Sequence, residues 1–208
     1  MTMKTTLCLV RHGETDWNVE RRIQGQIDIP LNARGRAQAG ALARGLADES
    51  FVAVYCSDLA RACQTAAALS GRVPIVDPAL RERHYGVLQS LTLEEARLRQ
   101  PEAHRRHRAR EPDYDYDGGE SLNAFAARAL AGIAALVRRH AGQTVLAVSH
   151  GGVLDIVYRH ASGRGLTTPR DFPVPNAAVN WLESDGEDWR ILLWADRCHL
   201  GALDELPG

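Results

Sequence analysis

Cysteine is scarce in this chain of 208 residues, which carries only Cys8, Cys56, Cys63 and Cys198. Their spacing fits no zinc-binding pattern, and a chain of this length does not need a disulfide scaffold. Cys8 and Cys56 sit in apolar runs, where a free thiol behaves as a small hydrophobe. A reduced, cytoplasmic protein is the expected setting. The chain also lacks an excess of either charge: 25 Lys and Arg residues face 26 Asp and Glu, for a formal net charge of −1. Bulk attraction to nucleic acid or to an anionic membrane is therefore not expected, and any anion site must be a local cluster. No apolar run is long enough to span a bilayer, and no signal peptide is recognised. Neither an internal repeat nor a low-complexity linker interrupts the chain.

What is present is ordinary for a globular protein, with 45% hydrophobic and 25% charged residues. Thr6–Val10, Phe51–Cys56 and Thr144–Val148 are short continuous apolar runs, the pattern of strands buried on both faces. Val73–Val76 reads as a strand near a sheet edge because of Pro74. Helices are expected from Gly35 to Asp48 with a cap near Asn32, and from a Ser57 or Asp58 cap to Leu69. Further helices are expected over Thr92–Arg99, from a Ser121 cap to His140, and from Gly151 to Ala161. Residues 14–33, 77–90 and 100–119 read as loop or polar stretch. Near the end, Ala177–Leu182 and Trp189–Trp194 flank the turn at 184–187 and should pair antiparallel. Strands alternating with helices imply an α/β fold: a three-layer α/β/α sandwich with a mostly parallel sheet and an antiparallel edge. One domain over residues 1–208 is expected, with a flap around 90–120.

Open sheets of this type bind ligands beyond the carboxyl ends of their strands. Two apolar strands end in His-Gly, at His12-Gly13 and His150-Gly151. If the two strands are neighbours, both imidazoles enter one crevice, although nothing local dictates that adjacency. Amides at the start of the helix after His150, including that of Gly151, form a ready anion site. Arg11 beside His12, and Arg61 early in the helix after the second strand, add guanidinium groups suited to bidentate oxyanion contacts. Together these side chains describe a dianion pocket. The Cys56-to-Arg61 interval is one residue too short for a cysteine–arginine phosphatase loop, so Cys56 is read as strand core.

The segment Leu9-Val10-Arg11-His12-Gly13-Glu14-Thr15-Asp16-Trp17-Asn18 resembles the signature of the histidine phosphatase superfamily, also called phosphoglycerate mutase-like. The resemblance continues through Gln24-Gly25, Ser57–Ala66, Leu80–Gly86, Gly119-Glu120-Ser121 and Val148–Gly152, in the family's order and over most of the chain. It implies that His12 is the nucleophile that becomes phosphorylated and that Arg11, Arg61 and His150 hold the phosphoryl oxygens. It implies Glu82 as proton donor to the leaving alcohol. Thr15, Asn18, Gln24, Gly25 and the Gly151 amide match substrate-binding positions, with Tyr85 as a further pocket residue.

The physical case runs in parallel. Phosphoryl transfer has a loose transition state, so catalysis is mostly positioning and charge stabilisation. A phosphohistidine intermediate divides one hard step into two. His12 must be neutral at the attacking nitrogen, with its other nitrogen donating to a backbone carbonyl. His150 serves best as a cation or a hydrogen-bond donor. No metal is required and no metal-ligand spacing is present.

The implied function is hydrolysis of a small phosphorylated metabolite, such as a sugar phosphate or phosphoglycerate, by a protein without cofactor. The alternative is a phosphoglycerate mutase, which would use a 2,3-bisphosphoglycerate primer. Residues 82–89 lean toward the mutases. The lysine those mutases carry soon afterwards is replaced by Leu93, and their longer insertion with paired arginines is absent. Arg105-Arg106 is a weak substitute for that pair. The basic run His104–Arg110 reads as a solvated flap compensated by Asp113, Asp115 and Asp117. A third reading is a catalytically weak module that binds phospho-ligands. No nucleic-acid or membrane partner is expected, and the protein is read as a monomer or homodimer.

Overall fold

The computed structural model describes residues 3–70, 73–201 and 203. In chain order the first elements are β1 (Thr5–Arg11), α1 (Asp16–Val19), α2 (Ala33–Gly45), β2 (Ala53–Cys56), α3 (Ala60–Ser70) and β3 (Ile75–Val76). Next come α4 (Leu93–Arg99), α5 (Pro101–Arg108), α6 (Leu122–Arg139), β4 (Thr144–Ser149), α7 (Gly151–Ser162), β5 (Val179–Ser184) and β6 (Trp189–Asp196). The strands form one sheet in the order β3-β2-β4-β1-β5-β6. β1, β2, β3 and β4 run parallel, whereas β5 pairs antiparallel with both β1 and β6. The expected α/β architecture is therefore present, and β3 lies at an edge as Pro74 suggested. Among the described residues no helix is long and apolar enough to cross a membrane.

β1 is apolar at successive positions because both of its faces are covered. Leu7 and Leu9 join Phe125, Ile133, Leu154 and Val157 from α6 and α7 on one side. Cys8 and Val10 join Leu42, Ala62 and Ala66 from α2 and α3 on the other. Period-two alternation sorts neighbouring residues of one strand into two cores. A third, smaller cluster packs Ala96 of α4 and Ala103 of α5 against Leu88 and Tyr116, and brings Ile23 and Tyr85 against it.

The sheet places the two His-Gly turns together. β1 and β4 are hydrogen-bonded neighbours with Arg11 opposite Ser149, and the His12 amide donates to the Ser149 carbonyl at 3.0 Å.

Several local expectations need correction. The segment 14–33 contains α1, capped by Thr15, whose hydroxyl receives the Asn18 amide while Asn18 reaches back to the Thr15 amide. The polar stretch after residue 100 contains α5. Pro101 opens it, Glu102 pairs with Arg105 and Arg106, and only Ala103 is buried. Helix α3 begins at Ala60 and is capped from a distant loop: Asp28 Oδ1 accepts the Ala60 amide at 2.7 Å. Asp58 instead pairs with Arg81. β5 starts at Val179 because Ala177 adopts φ 55° and turns its amide onto the Arg11 and His12 carbonyls. The caps at Asn32 and Ser121 stand where the sequence placed them, and the helix expected from Thr92 has Thr92 as its cap and begins at Leu93.

Candidate active site

At the carboxyl ends of β1 and β4, His12 and His150 face each other with ring centroids 5.1 Å apart. Both are buried, His12 with 3% of its surface exposed and His150 with none. His12 Nδ1 lies 2.7 Å from the Gly13 carbonyl oxygen and donates to it, which leaves Nε2 with its lone pair free. Burial first, then the charges of Arg61 and Arg11, hold the His12 pKa well below the ordinary imidazole range. The imidazole is therefore neutral at physiological pH, as a nucleophile must be.

His150 shows the same displacement, from burial first and then from Arg61, His12 and Arg11. Its Nδ1 receives the Arg61 Nε–H at 3.3 Å, which puts the imidazole proton on Nε2. In this arrangement His150 is a neutral donor through Nε2–H, one of the two roles anticipated for it.

Arg61 has 1% of its surface exposed and is clamped by backbone: Nη2 donates to the Gly25 carbonyl at 2.7 Å and Nη1 to that of Ile27 at 2.9 Å. Gly25 makes the clamp possible, since it takes φ +54° and a Cβ there would lie 2.0 Å from Gln89 Oε1. Thr65 ties this helix to the end of β1, accepting the Gly13 amide and donating to the Arg61 carbonyl. Arg11 donates to the Val174 carbonyl at 2.5 Å. Burial pushes both guanidinium groups down to about 10, which leaves them cationic at neutral pH.

Glu82 occupies the other side. Its carboxylate accepts the Arg83 amide at 2.7 Å and the Gly152 amide at 2.9 Å in the first turn of α7. Helix starts leave such amides without an intrahelical partner. Glycine at 152 permits the contact, because a Cβ there would sit 2.0 Å from Glu82 Oε1. A Cβ at Gly151 would lie 3.4 Å from Arg11 Nε, so the start of α7 passes beside that guanidinium.

Arg11, His12, Asn18, Gln24, Gly25, Arg61, Glu82 and Tyr85 line one cavity of about 310 Å3. Arg11 Nε and Gln24 Oε1, on residues that line it, have no hydrogen-bond partner, and neither has His150 Nε2, on the ring that faces His12 although His150 is not itself on the cavity wall. An unpaired buried polar group costs about 1–3 kcal/mol, so a cluster of them marks a place where a ligand completes the bonding.

Thr15, anticipated as a substrate contact, does not line the cavity. It is fully buried and braces Asn18, whose Oδ1 accepts from Thr15 and from Asn176 Nδ2 at 3.2 Å. Asn176 also reaches the His12 and Gly13 carbonyls at 3.0 and 3.3 Å. Sequence reasoning missed Asn176, which stands in the apparent loop before β5, and also missed Trp17, Arg21, Ile23 and His107 on the cavity wall. Of these, only Trp17 lies inside a recognised motif.

The basic run divides. Arg105 and Arg106 pair with Glu102 and Glu111 at the surface, so these glutamates supply the compensation expected from the aspartates after residue 112. His107 turns inward, donating to or accepting from the Tyr116 hydroxyl at 3.0 Å, and burial lowers its pKa to about 4. Among the described residues no group of three or more His, Cys, Asp or Glu could hold a metal ion.

The chain is matched over residues 7–197 by a family described as the histidine phosphatase superfamily (branch 1). It is similar to the phosphoglycerate mutase-like protein 4 of Arabidopsis thaliana, 38% identical over 201 residues, 93% of this chain and 86% of that one. It is equally similar to the metal-independent phosphoserine phosphatase of the same plant, 38% identical over 208 residues, 96% of this chain and 84% of that one. Among solved structures it resembles Bacillus stearothermophilus YhfR with a TM-score of 0.86 and 36% identity, over 94% of this chain and 99% of that chain.

Proposed function

The chain belongs to the histidine phosphatase superfamily, branch 1, and from that premise we propose that it is a metal-independent phosphomonoester hydrolase acting through a phosphohistidine on His12. The observation that carries this reading is the trio of unpaired buried atoms around a neutral, correctly oriented imidazole. A tetrahedral oxyanion seated between the two histidine rings accepts from Arg11 Nε and from His150 Nε2–H. Arg61 is held by carbonyls in the same place and contributes charge.

In the first transfer, His12 Nε2 attacks phosphorus, the bond from phosphorus to the ester oxygen breaks, and Glu82 delivers its proton to the departing alkoxide. In the second, Glu82 takes a proton from water as the water oxygen attacks phosphorus. The P–N bond then breaks and its electron pair returns to Nε2. Donors fixed before the reaction stabilise the charge without reorganising, which is where most of the rate enhancement arises. Asn18 and Gln24 orient the ester, Tyr85 shapes the leaving-group side, and Thr15, Gly25 and Asn176 act by positioning.

The substrate in this reading is a small phosphorylated metabolite. The protein is taken as cytoplasmic, monomeric or homodimeric, and without nucleic-acid or membrane partners. In this reading residues 90–120 are a flap on a single domain, supported by Leu93 of α4 and His107 of α5 on the cavity wall and by the small core that the two helices share. Hydrolysis is favoured over a mutase reaction by Arg105 and Arg106, which are neutralised at the surface rather than turned to the cavity.

The test is release of phosphate from a chromogenic aryl phosphate. We expect turnover by the wild type and a loss of about 10^3-fold or more in His12→Ala, since the intermediate cannot form. Full activity in that variant would remove the nucleophile. Conversion of 3-phosphoglycerate to its isomer only with the bisphosphate primer would instead favour the mutase. Tight phosphate binding without turnover would favour the binding module.

A further inference from the structure

Two thiols that the proposed chemistry does not use touch each other beside the site. Cys56 ends β2 and is fully buried, whereas Cys63 lies in the first turn of α3 and is partly exposed. Their sulfurs are 3.7 Å apart, and the Cys63 thiol also donates to the Ser57 carbonyl at 3.2 Å. A disulfide bond is about 2.0 Å long, so joining them asks the two elements to close by less than 2 Å. Burial pushes the Cys56 thiol up to about 12, which keeps it protonated. Cys63, with access to solvent, is the sulfur that an oxidant meets first.

The seven-residue interval between them carries Arg61. Its guanidinium is held by the Gly25 and Ile27 carbonyls and reaches His150 Nδ1 at 3.3 Å. Two residues past Cys63, Thr65 accepts the Gly13 amide. A shift in the first turn of α3 is therefore felt on both sides of the oxyanion pocket.

We propose that Cys56 and Cys63 are an oxidation site, at which a hydroperoxide forms a disulfide that displaces the start of α3 and with it Arg61. The Cys63 sulfur attacks the peroxide, the O–O bond breaks, and Cys63 becomes a sulfenic acid as water leaves. Cys56 then attacks that sulfur, the S–S bond forms, the S–O bond breaks, and the Cys56 proton departs with the hydroxyl as a second water. Two thiols are oxidised and one peroxide is reduced. The effect on turnover rests on the hydrolase reading, whereas the linkage itself does not. In a reducing compartment such a bond is transient, as sensing disulfides are.

The test treats the reduced full-length protein with graded hydrogen peroxide, caps free thiols with N-ethylmaleimide and maps peptides by tandem mass spectrometry. We expect a Cys56–Cys63 cross-linked peptide at peroxide concentrations that leave Cys8 free. Turnover of an aryl phosphate should fall by about tenfold or more as the linkage accumulates, the scale of a site group displaced by about 1 Å, and return with dithiothreitol. The Kd for inorganic phosphate, measured by calorimetry, should rise several-fold in the linked form. Cys63→Ser should keep wild-type turnover and resist the peroxide-induced loss, while Cys56→Ser should leave a Cys63 sulfenic acid that dimedone traps. Absence of the cross-linked peptide even where Cys198 is oxidised overturns the proposal. So does a peroxide-induced loss that is unchanged in Cys63→Ser, or a linked protein with unaltered turnover and phosphate affinity. No turnover by the reduced protein would sink the hydrolase reading alone, since the linkage and the phosphate affinity are read without it.

Discussion

Single atoms decide most of what happens at His12. One carbonyl, that of Gly13, fixes which ring nitrogen is free, and one missing side chain, at residue 152, lets the Glu82 carboxylate sit on the start of α7. Gly152→Ala is a direct probe of the second feature. The added methyl would meet Glu82 Oε1 at 2.0 Å, and a flexible carboxylate moves more cheaply than a backbone. The fold should survive while the proposed acid is displaced. We expect kcat to fall by about 10- to 100-fold, part of the usual contribution of general acid catalysis, with a small change in unfolding midpoint. Steady-state kinetics and urea denaturation on the same preparation check this, and an unchanged kcat would contradict the placement of Glu82. At this scale the sequence was informative where residue type suits an oxyanion site. Arg11, His12, Arg61 and His150 were picked out from the residues themselves, Glu82 only from the family resemblance, and the fold gathers all five. It was silent on residues that act by bracing. Asn176 has no local signature, and Thr15 reads as a contact until its burial shows that it holds Asn18.

Helix ends set the geometry one level up. Helix α3 carries Arg61, and its start is tied to Asp28, thirty-two residues earlier in the chain. Asp28→Ala removes an acceptor at a helix N-terminus, for a cost of about 1 kcal/mol in urea denaturation. Because Ile27 and Gly25 in the same loop hold the Arg61 guanidinium, KM for an aryl phosphate should rise more than kcat falls. Loss of stability with no change in KM would mean that the loop keeps its place without this bond. Elements with strong local signals were readable in advance, among them β1, the Ser121-capped α6 and the Thr92-capped α4. Helix α5 was not, because its stability comes from Glu102–arginine pairs and one buried alanine, which leaves no hydrophobic stripe for a periodicity to reveal.

Across the whole molecule, folding brings together two imidazoles that stand 138 residues apart in the chain and keeps both neutral. Stability must then depend on pH. In the unfolded chain these groups take up protons near 6.5, while in the native state burial and the neighbouring arginines hold their pKa values well below that. The unfolded state therefore binds more protons as pH falls, and stability declines with it. The decline should begin between about pH 7 and 5.5, above the range where most carboxylates titrate, and should be absent above pH 7. His150→Gln should make it shallower in chemical denaturation, leaving the shares of His12 and of the buried His107. An equal slope in that variant would mean that the site is wetter than its burial indicates. The pairing of β1 with β4 that creates this environment was not written in either strand. Both are uniformly apolar runs, and such runs carry no label for their neighbour.

The central claim is that the phosphoryl group rests on His12 between two transfers. Rapid mixing with substrate, quenching in alkali where phosphohistidine survives, and peptide mapping by tandem mass spectrometry address it directly. The account predicts one phosphoryl group per chain, on the His12 imidazole, forming and decaying within a turnover. Phosphorylation at any other residue, or continued turnover with no phosphoryl-protein at any quench time, would contradict it.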